Sequence, residues 1–210
     1  MIVNIATDGT ATDDGDSADD GESEQCGGET GAPLDSVSDP AALAERTGVG
    51  TTAATFEHDE ADHCEAGAGG RAIVGVTNER GEVLLWVHEN GHAILPNVVV
   101  DDGGDWSRAA RGEVADTTGL ALDLDSVERV REVDHVLAED GDGAGESRPL
   151  ETTHHVVFAA SPTRSADERD APQIDTCDDV WTAGWYDRLP TDPDTYRESS
   201  VVDDIRLFTE

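Results

Sequence analysis

From residue 72 the chain becomes markedly apolar in short runs. Ala72-Ile73-Val74-Gly75-Val76 and Val83-Leu84-Leu85-Trp86-Val87 have strand length and are separated by the turn-like Asn78-Glu79-Arg80-Gly81. They predict a β-hairpin with a buried face. After Ile94-Leu95-Pro96 and Val98-Val99-Val100, the acidic loop Asp101-Asp102-Gly103-Gly104 leads into a helix expected from Trp106 to Thr118, with Asp105 to cap it and Gly119 to close it. Trp106, Ala110 and Val114 recur at i, i+4 as its packing stripe, while Ala109, Glu113 and Asp116 share the adjacent face. Residues 127–136 and 153–160 read as strands, the second holding His154 and His155, which alternation sends to opposite faces. An exposed acidic loop is expected at 139–148. Residues 181–186 predict a last strand, and 193–208 a terminal helix with Val201, Val202, Ile205 and Phe208 on its apolar side.

The first part of the chain is different. Residues 8–38 are mostly Asp, Glu, Gly, Ser and Thr, with little apolar surface to offset the entropy of ordering, so residues 1–38 are expected to be a disordered acidic tail. Asp39, Pro40 and the stretch 41–46 give an N-cap, a first-turn proline and helix formers, with Gly48 placed to stop the helix. Residues 39–70 therefore read as a short helix followed by a linker and an edge strand at 50–58, and 71–210 as the compact domain. The whole suits one soluble α/β domain with an added N-terminal segment.

Charge changes this picture more than length does. The net charge is −35, with 48 acids against 13 bases, every one of them arginine. Such self-repulsion weakens a compact state at ordinary ionic strength, whereas molar salt shortens the Debye length to about 3 Å. The composition thus points to a salt-rich cytoplasm and a halophilic, haloarchaeal source. It also argues against nucleic acid as a partner, since no basic cluster exists to neutralise phosphates.

Cys26, Cys64 and Cys177 have no C-x-x-C spacing, so neither a disulfide framework nor a zinc ribbon is indicated. The N-terminal Met-Ile-Val-Asn-Ile-Ala lacks a basic leader and no apolar run reaches membrane-spanning length, so a soluble cytoplasmic protein is expected. His58, His63 and Cys64 lie near one another, with Cys26 or His88 as conceivable additions. Their spacing is not that of structural zinc sites and the segment reads as a loop, so no transition-metal site is expected there.

The stretch from Leu95-Pro96 through Val98, Gly104, Gly112-Glu113-Val114, Asp116-Thr117 and Gly119-Leu120 resembles a Nudix box, whose family pattern is G-x5-E-x7-R-E-U-x-E-E-x-G-U with U aliphatic. The predicted hairpin ahead of it, and Trp185-Tyr186-Asp187-Arg188-Leu189-Pro190 after it, match further landmarks of the family. The resemblance covers about two thirds of the chain. It implies a Nudix-type α/β/α sandwich with a mixed β-sheet. It also implies a hydrolase that uses Mg2+ or Mn2+ to cleave the pyrophosphate of a nucleoside-diphosphate-linked metabolite, in a family whose members are often dimers. Glu113 and Asp116 are the implied metal ligands, and Glu113 the implied catalytic base. Carboxylates three and four apart on a helix present hard oxygens together, and the ion acidifies the attacking water.

Several box positions depart from the pattern. Val98 stands for the first glycine, Gly104 for the first glutamate, Gly112 for the arginine and Thr117 for the last metal-binding glutamate. Asp101, Asp102, Asp105, Asp178 and Asp179 are the acids placed to compensate. The reading is thus a Nudix-type hydrolase with impaired activity. The alternative is a non-catalytic Nudix domain that binds a nucleotide metabolite as a sensor or regulatory module; a third is a structural or interaction domain without a ligand.

Overall fold

A computed structural model describes residues 34–63, 65–137, 148–163, 180–190 and 199–209. The elements in chain order are α1 (Pro40–Ala44), β1 (Gly50–His58), β2 (Ala68–Val76), β3 (Val83–His88), β4 (Ala93–Ile94), β5 (Asn97–Asp101), α2 (Trp106–Thr118), β6 (Leu122–Leu137), β7 (Arg148–Pro162), β8 (Trp181–Tyr186) and α3 (Ser200–Thr209). Five strands form a mixed sheet in the order β1-β6-β7-β2-β5, and three form a second sheet in the order β4-β3-β8. In the larger sheet β1 runs parallel to β6 and β2 parallel to β7, while β6/β7 and β2/β5 are antiparallel. The architecture is mixed α/β with a mixed sheet, as expected.

Strand alternation divides the interior into two cores. On β2, Ala72, Val74 and Val76 face one way and join Val156, Phe158, Val130, Leu43 and the α2 stripe of Trp106, Ala110 and Val114. Ile73 points the other way and packs with Val157, Val83, Leu85, Leu95 and Ile205 of α3. Helices α1 and α2 therefore cover one face of the large sheet, and α3 with the small sheet covers the other. The centre of β2 is buried on both faces, which is why its sequence reads as an uninterrupted apolar run rather than an alternation.

Two expectations are corrected. The runs at 72–76 and 83–87 do not form a regular hairpin: both edges of β2 are already hydrogen-bonded, to β7 and β5, so β3 keeps a single bridge to it, Thr77 to Val83, and joins the second sheet. The turn at Asn78 is nevertheless made, with Gly81 N–H donating to the Asn78 carbonyl at 2.9 Å. The second correction concerns the acidic tail. Residues 1–33 lie outside the described set, but Leu34 and Val37 are core residues, 8% and 5% exposed. Val37 accepts the N–H of Trp106 at 2.7 Å, and Arg111 reaches the Leu34 carbonyl at 3.2 Å. Two apolar residues three apart suffice to seat the segment against α2.

Other elements follow their local signals. Asp39 accepts the N–H groups of Ala41 and Ala42 ahead of Pro40, capping α1. β1 is the edge strand of the large sheet, paired along its full length with β6. Of the terminal helix, residues 200–209 are seen, and 193–198 lie outside the described set, as do 139–147 of the acidic loop. Gly70 is required by contact: at φ +138° a Cβ would sit 1.9 Å from the His154 carbonyl oxygen on β7. No helix among the described residues is long and apolar enough to cross a membrane.

Candidate functional site

Helix α2 carries the implied catalytic residues. Asp105 caps it by accepting the N–H of Arg108 at 3.0 Å, and Gly119, at φ +73°, closes it with its N–H on the Ala115 carbonyl. Burial of Trp106, Ala110 and Val114 fixes the helix rotation and leaves Glu113 half-buried and Asp116 exposed, one turn apart on the adjoining face. Burial raises the Glu113 pKa and the Asp116 charge raises it further, while the Arg71 guanidinium pulls it down. A carboxyl in that position is held between a like charge and an opposite one.

The departures from the box have visible local consequences. Thr117 turns its hydroxyl onto the Glu113 backbone carbonyl at 2.6 Å, so it serves the helix rather than the face. Gly112 leaves open space where a side chain would begin. At Gly104 a Cβ would lie 2.9 Å from the Asp101 carbonyl, so the tight loop itself disfavours a larger residue there. Val98 sits on β5 opposite Ala72. Asp101 and Asp102 are exposed, Asp105 is committed to capping, and Asp178 and Asp179 lie outside the described residues.

Arg71 on β2 links the helix to a cavity. Its Nε donates to Glu65 Oε1 at 2.9 Å and an Nη to Asn97 Oδ1 at 2.6 Å. Glu65, 4% exposed, also receives His155 Nε2 at 3.1 Å and the Thr153 hydroxyl at 3.2 Å. Burial alone would raise the Glu65 pKa, but the hydrogen bonds from His155 and Arg71 and their charges carry it down to about 2, so this carboxylate stays ionised. Glu65, Arg71, Asn97 and His155 line a cavity of about 260 Å³ together with Phe56, Ile73 and Leu95. Its far wall is a buried ion pair, in which Arg131 holds Asp204 of α3 with two nitrogens at 2.7 and 3.0 Å and Arg129 adds a third contact at 2.8 Å.

None of Glu65, Arg71, Arg131, His135 or His155 was singled out as functional by the sequence reading. A signal existed. Arg131 and His135 on β6, and Thr153 and His155 on β7, are polar residues at alternate, buried strand positions otherwise filled by valine. His154 takes the opposite face and is half-buried. His58 and His63 come together after all, with His135 as a third ring.

No family model matches the chain, and no curated protein matches it. Matching solved structures include a NUDIX hydrolase from Nitrosomonas europaea, 14% identical over 66% of this chain and 86% of that one, with a TM-score of 0.42. The E. coli dihydroneopterin triphosphate pyrophosphohydrolase is 15% identical over 66% and 93%, at 0.37. C. elegans Ap4A hydrolase is 13% identical over 68% and 92%, at 0.35. Likenesses this distant carry nothing about activity, and the functional reading rests on the residues of α2 and their surroundings.

Those residues fit a hard divalent ion in part. Glu113 and Asp116 supply two carboxylates on one helix face, enough for Mg2+, which keeps several waters and takes its remaining oxygens from substrate phosphates. The third acid of a full set has no counterpart among the described residues of that face.

Proposed function

We propose that this chain is a Nudix-type hydrolase of reduced activity that cleaves the pyrophosphate of a nucleoside-diphosphate-linked metabolite. The observation that carries the reading is the position of Glu113: half-buried, one turn from Asp116, and within the field of Arg71. Glu113 and Asp116 would hold Mg2+ or Mn2+, which when bound neutralises phosphate charge and lowers the pKa of a water. Glu113 is the carboxylate that would accept a proton from the attacking water. Arg71 offsets negative charge on the phosphates, and its bonds to Glu65 and Asn97 fix the guanidinium before substrate arrives. The cavity lined by Phe56, Ile73 and Leu95 has room for part of an organic substituent. A salt-rich cytoplasm is the setting in which a charge of −35 is tolerated.

The test is turnover by purified protein in molar KCl with Mg2+ or Mn2+, against nucleoside triphosphates, dinucleoside polyphosphates and sugar nucleotides. Metal-dependent product formation is expected, reduced by at least about a hundredfold in Glu113→Gln, the scale of general base loss. The engagement of Thr117 with backbone favours a second reading, a domain that binds such a metabolite without hydrolysing it. Ligand-dependent stabilisation with no turnover across the panel would replace the hydrolase by that sensor.

A further inference from the structure

Three histidines converge at the end of the large sheet where β1 and β6 lie side by side. His58 ends β1, His63 follows it in the loop, and His135 lies on β6. One nitrogen of each ring lies within 4.8 Å of the other two. His58 Nε2 and His135 Nδ1 are 2.8 Å apart, and Glu151 Oε1 on β7 is 3.1 Å from His63 Nε2.

Hydrogen bonds set the tautomers: His63 Nδ1 accepts the Glu65 N–H at 3.3 Å, which leaves its proton on Nε2. Thr153 spends its one hydrogen on Glu65 Oε2, so its oxygen must accept from His135 Nε2 at 2.9 Å. Neutral His135 then carries its proton on Nε2 and turns the Nδ1 lone pair toward His58. The ring is thus oriented through the threonine by Glu65, 3.6 Å from His135 Nε2, and outer groups that fix a histidine's tautomer are the usual support of a metal ligand. His63 supplies a second sign. Its side chain is 5% exposed, yet Nε2 makes no hydrogen bond of acceptable geometry, its approach to Glu151 being off-line.

We propose that His58, His63 and His135, with Glu151 as the fourth donor, form a site for a transition-metal ion of the zinc class. Three imidazoles and a carboxylate are a donor set that Zn2+ takes in tetrahedral geometry, at bonds of about 2.0–2.2 Å that place donors about 3.3 Å apart. The three histidine nitrogens lie within 4.8 Å of one another, and Glu151 stands 3.1 Å from His63. The rings are stacked, with interplanar angles of 11° to 21°, so an ion enters by turning them about their Cβ–Cγ bonds, replacing the His58–His135 hydrogen bond and shifting the Nε2 protons of His58 and His63 to Nδ1. Bound there, it ties together β1, the loop after it, β6 and β7. The site is separate from Glu113 and Asp116 and does not depend on the hydrolase reading.

The test uses the full chain, stripped with chelator and held in molar KCl so that loose binding to the acidic surface is screened. Co2+ is titrated in and followed by visible absorption and by paramagnetic shifts of the histidine ring signals. One equivalent is expected to give intense tetrahedral bands, to shift three histidine rings, and to be displaced by Zn2+. His58→Gln and His63→Gln each weaken binding at least tenfold, and Glu113→Gln leaves it unchanged. Absence of tetrahedral bands, shifts in fewer than three rings, bands that survive both histidine changes, or bands lost in Glu113→Gln or Cys64→Ser would overturn the proposal. The ring shifts of the wild-type chain decide the matter even if a variant does not fold.

Discussion

Thr117 lies one helical turn beyond Glu113, on the position where a third carboxylate would complete a ligand set. Because its hydroxyl is tied to the helix backbone and Asp116 beside it is exposed, a longer acidic side chain meets no obstacle from α2 itself. Thr117→Glu is therefore expected to tighten Mg2+ about tenfold and to raise turnover, since divalent affinity follows ligand charge. Isothermal titration with Mg2+ checks the first half, and unchanged affinity would mean that this face of α2 holds no ion. The position of Glu113 was legible because helix period and caps fix it from sequence. Glu65, Arg71 and His155 were not, because they meet through tertiary pairing: Glu65 to His155 spans from the loop before β2 to β7, and nothing in local spacing announces that contact.

Asp105 and Asp204 are the acids on which helices α2 and α3 depend. Burial by itself raises the Asp105 pKa, but hydrogen bonds from Arg108 N–H, the Ser36 hydroxyl and Val37 N–H bring it below the ordinary 3.8. A depressed carboxyl stabilises the fold above its unfolded value and loses that contribution as the pH falls through its folded value. Asp105→Ala should cost about 1 kcal/mol at neutral pH, as for other N-caps. The difference from wild type should shrink below pH 3.8, as urea denaturation at both conditions would register. A gap independent of pH would remove the charged cap from the account. On α3, Asp204 is 2% exposed and ion-pairs with two arginines, so Asp204→Ala leaves the buried Arg131 without its counter-charge and should cost about 3–5 kcal/mol. Thermal unfolding reads that loss, and a change within 1 kcal/mol would contradict it. Helix α2, with its caps and stripe, was readable from sequence; the split of β2 and β3 between two sheets was not, because periodicity gives strands but not their partners.

At the level of the whole molecule, 48 acids are offset by only 13 arginines, and the excess carboxylates repel one another over distances that salt controls. Raising KCl from about 0.15 M to about 1 M shortens the Debye length from about 8 Å to about 3 Å. The unfolding midpoint should climb over that range, and a flat or falling profile would detach the acidic composition from salt adaptation. The mixed α/β class was legible because strand-length apolar runs alternate with one strongly signalled helix. The order of strands was not, since the pairing of β1 with β6 joins residues as far apart in the chain as Gly50 and Arg129.

That parallel pairing governs how the protein assembles. β1 cannot find β6 until the chain between them has closed a long loop, and such non-local contacts form on millisecond-to-second timescales rather than microseconds. His58 and His135 are brought together by that same register, which sets Phe56 opposite His135 and His58 opposite Leu137. The histidine cluster therefore exists only once β1 has paired with β6, and an ion captured there would act as a latch on that pairing rather than as a seed for it.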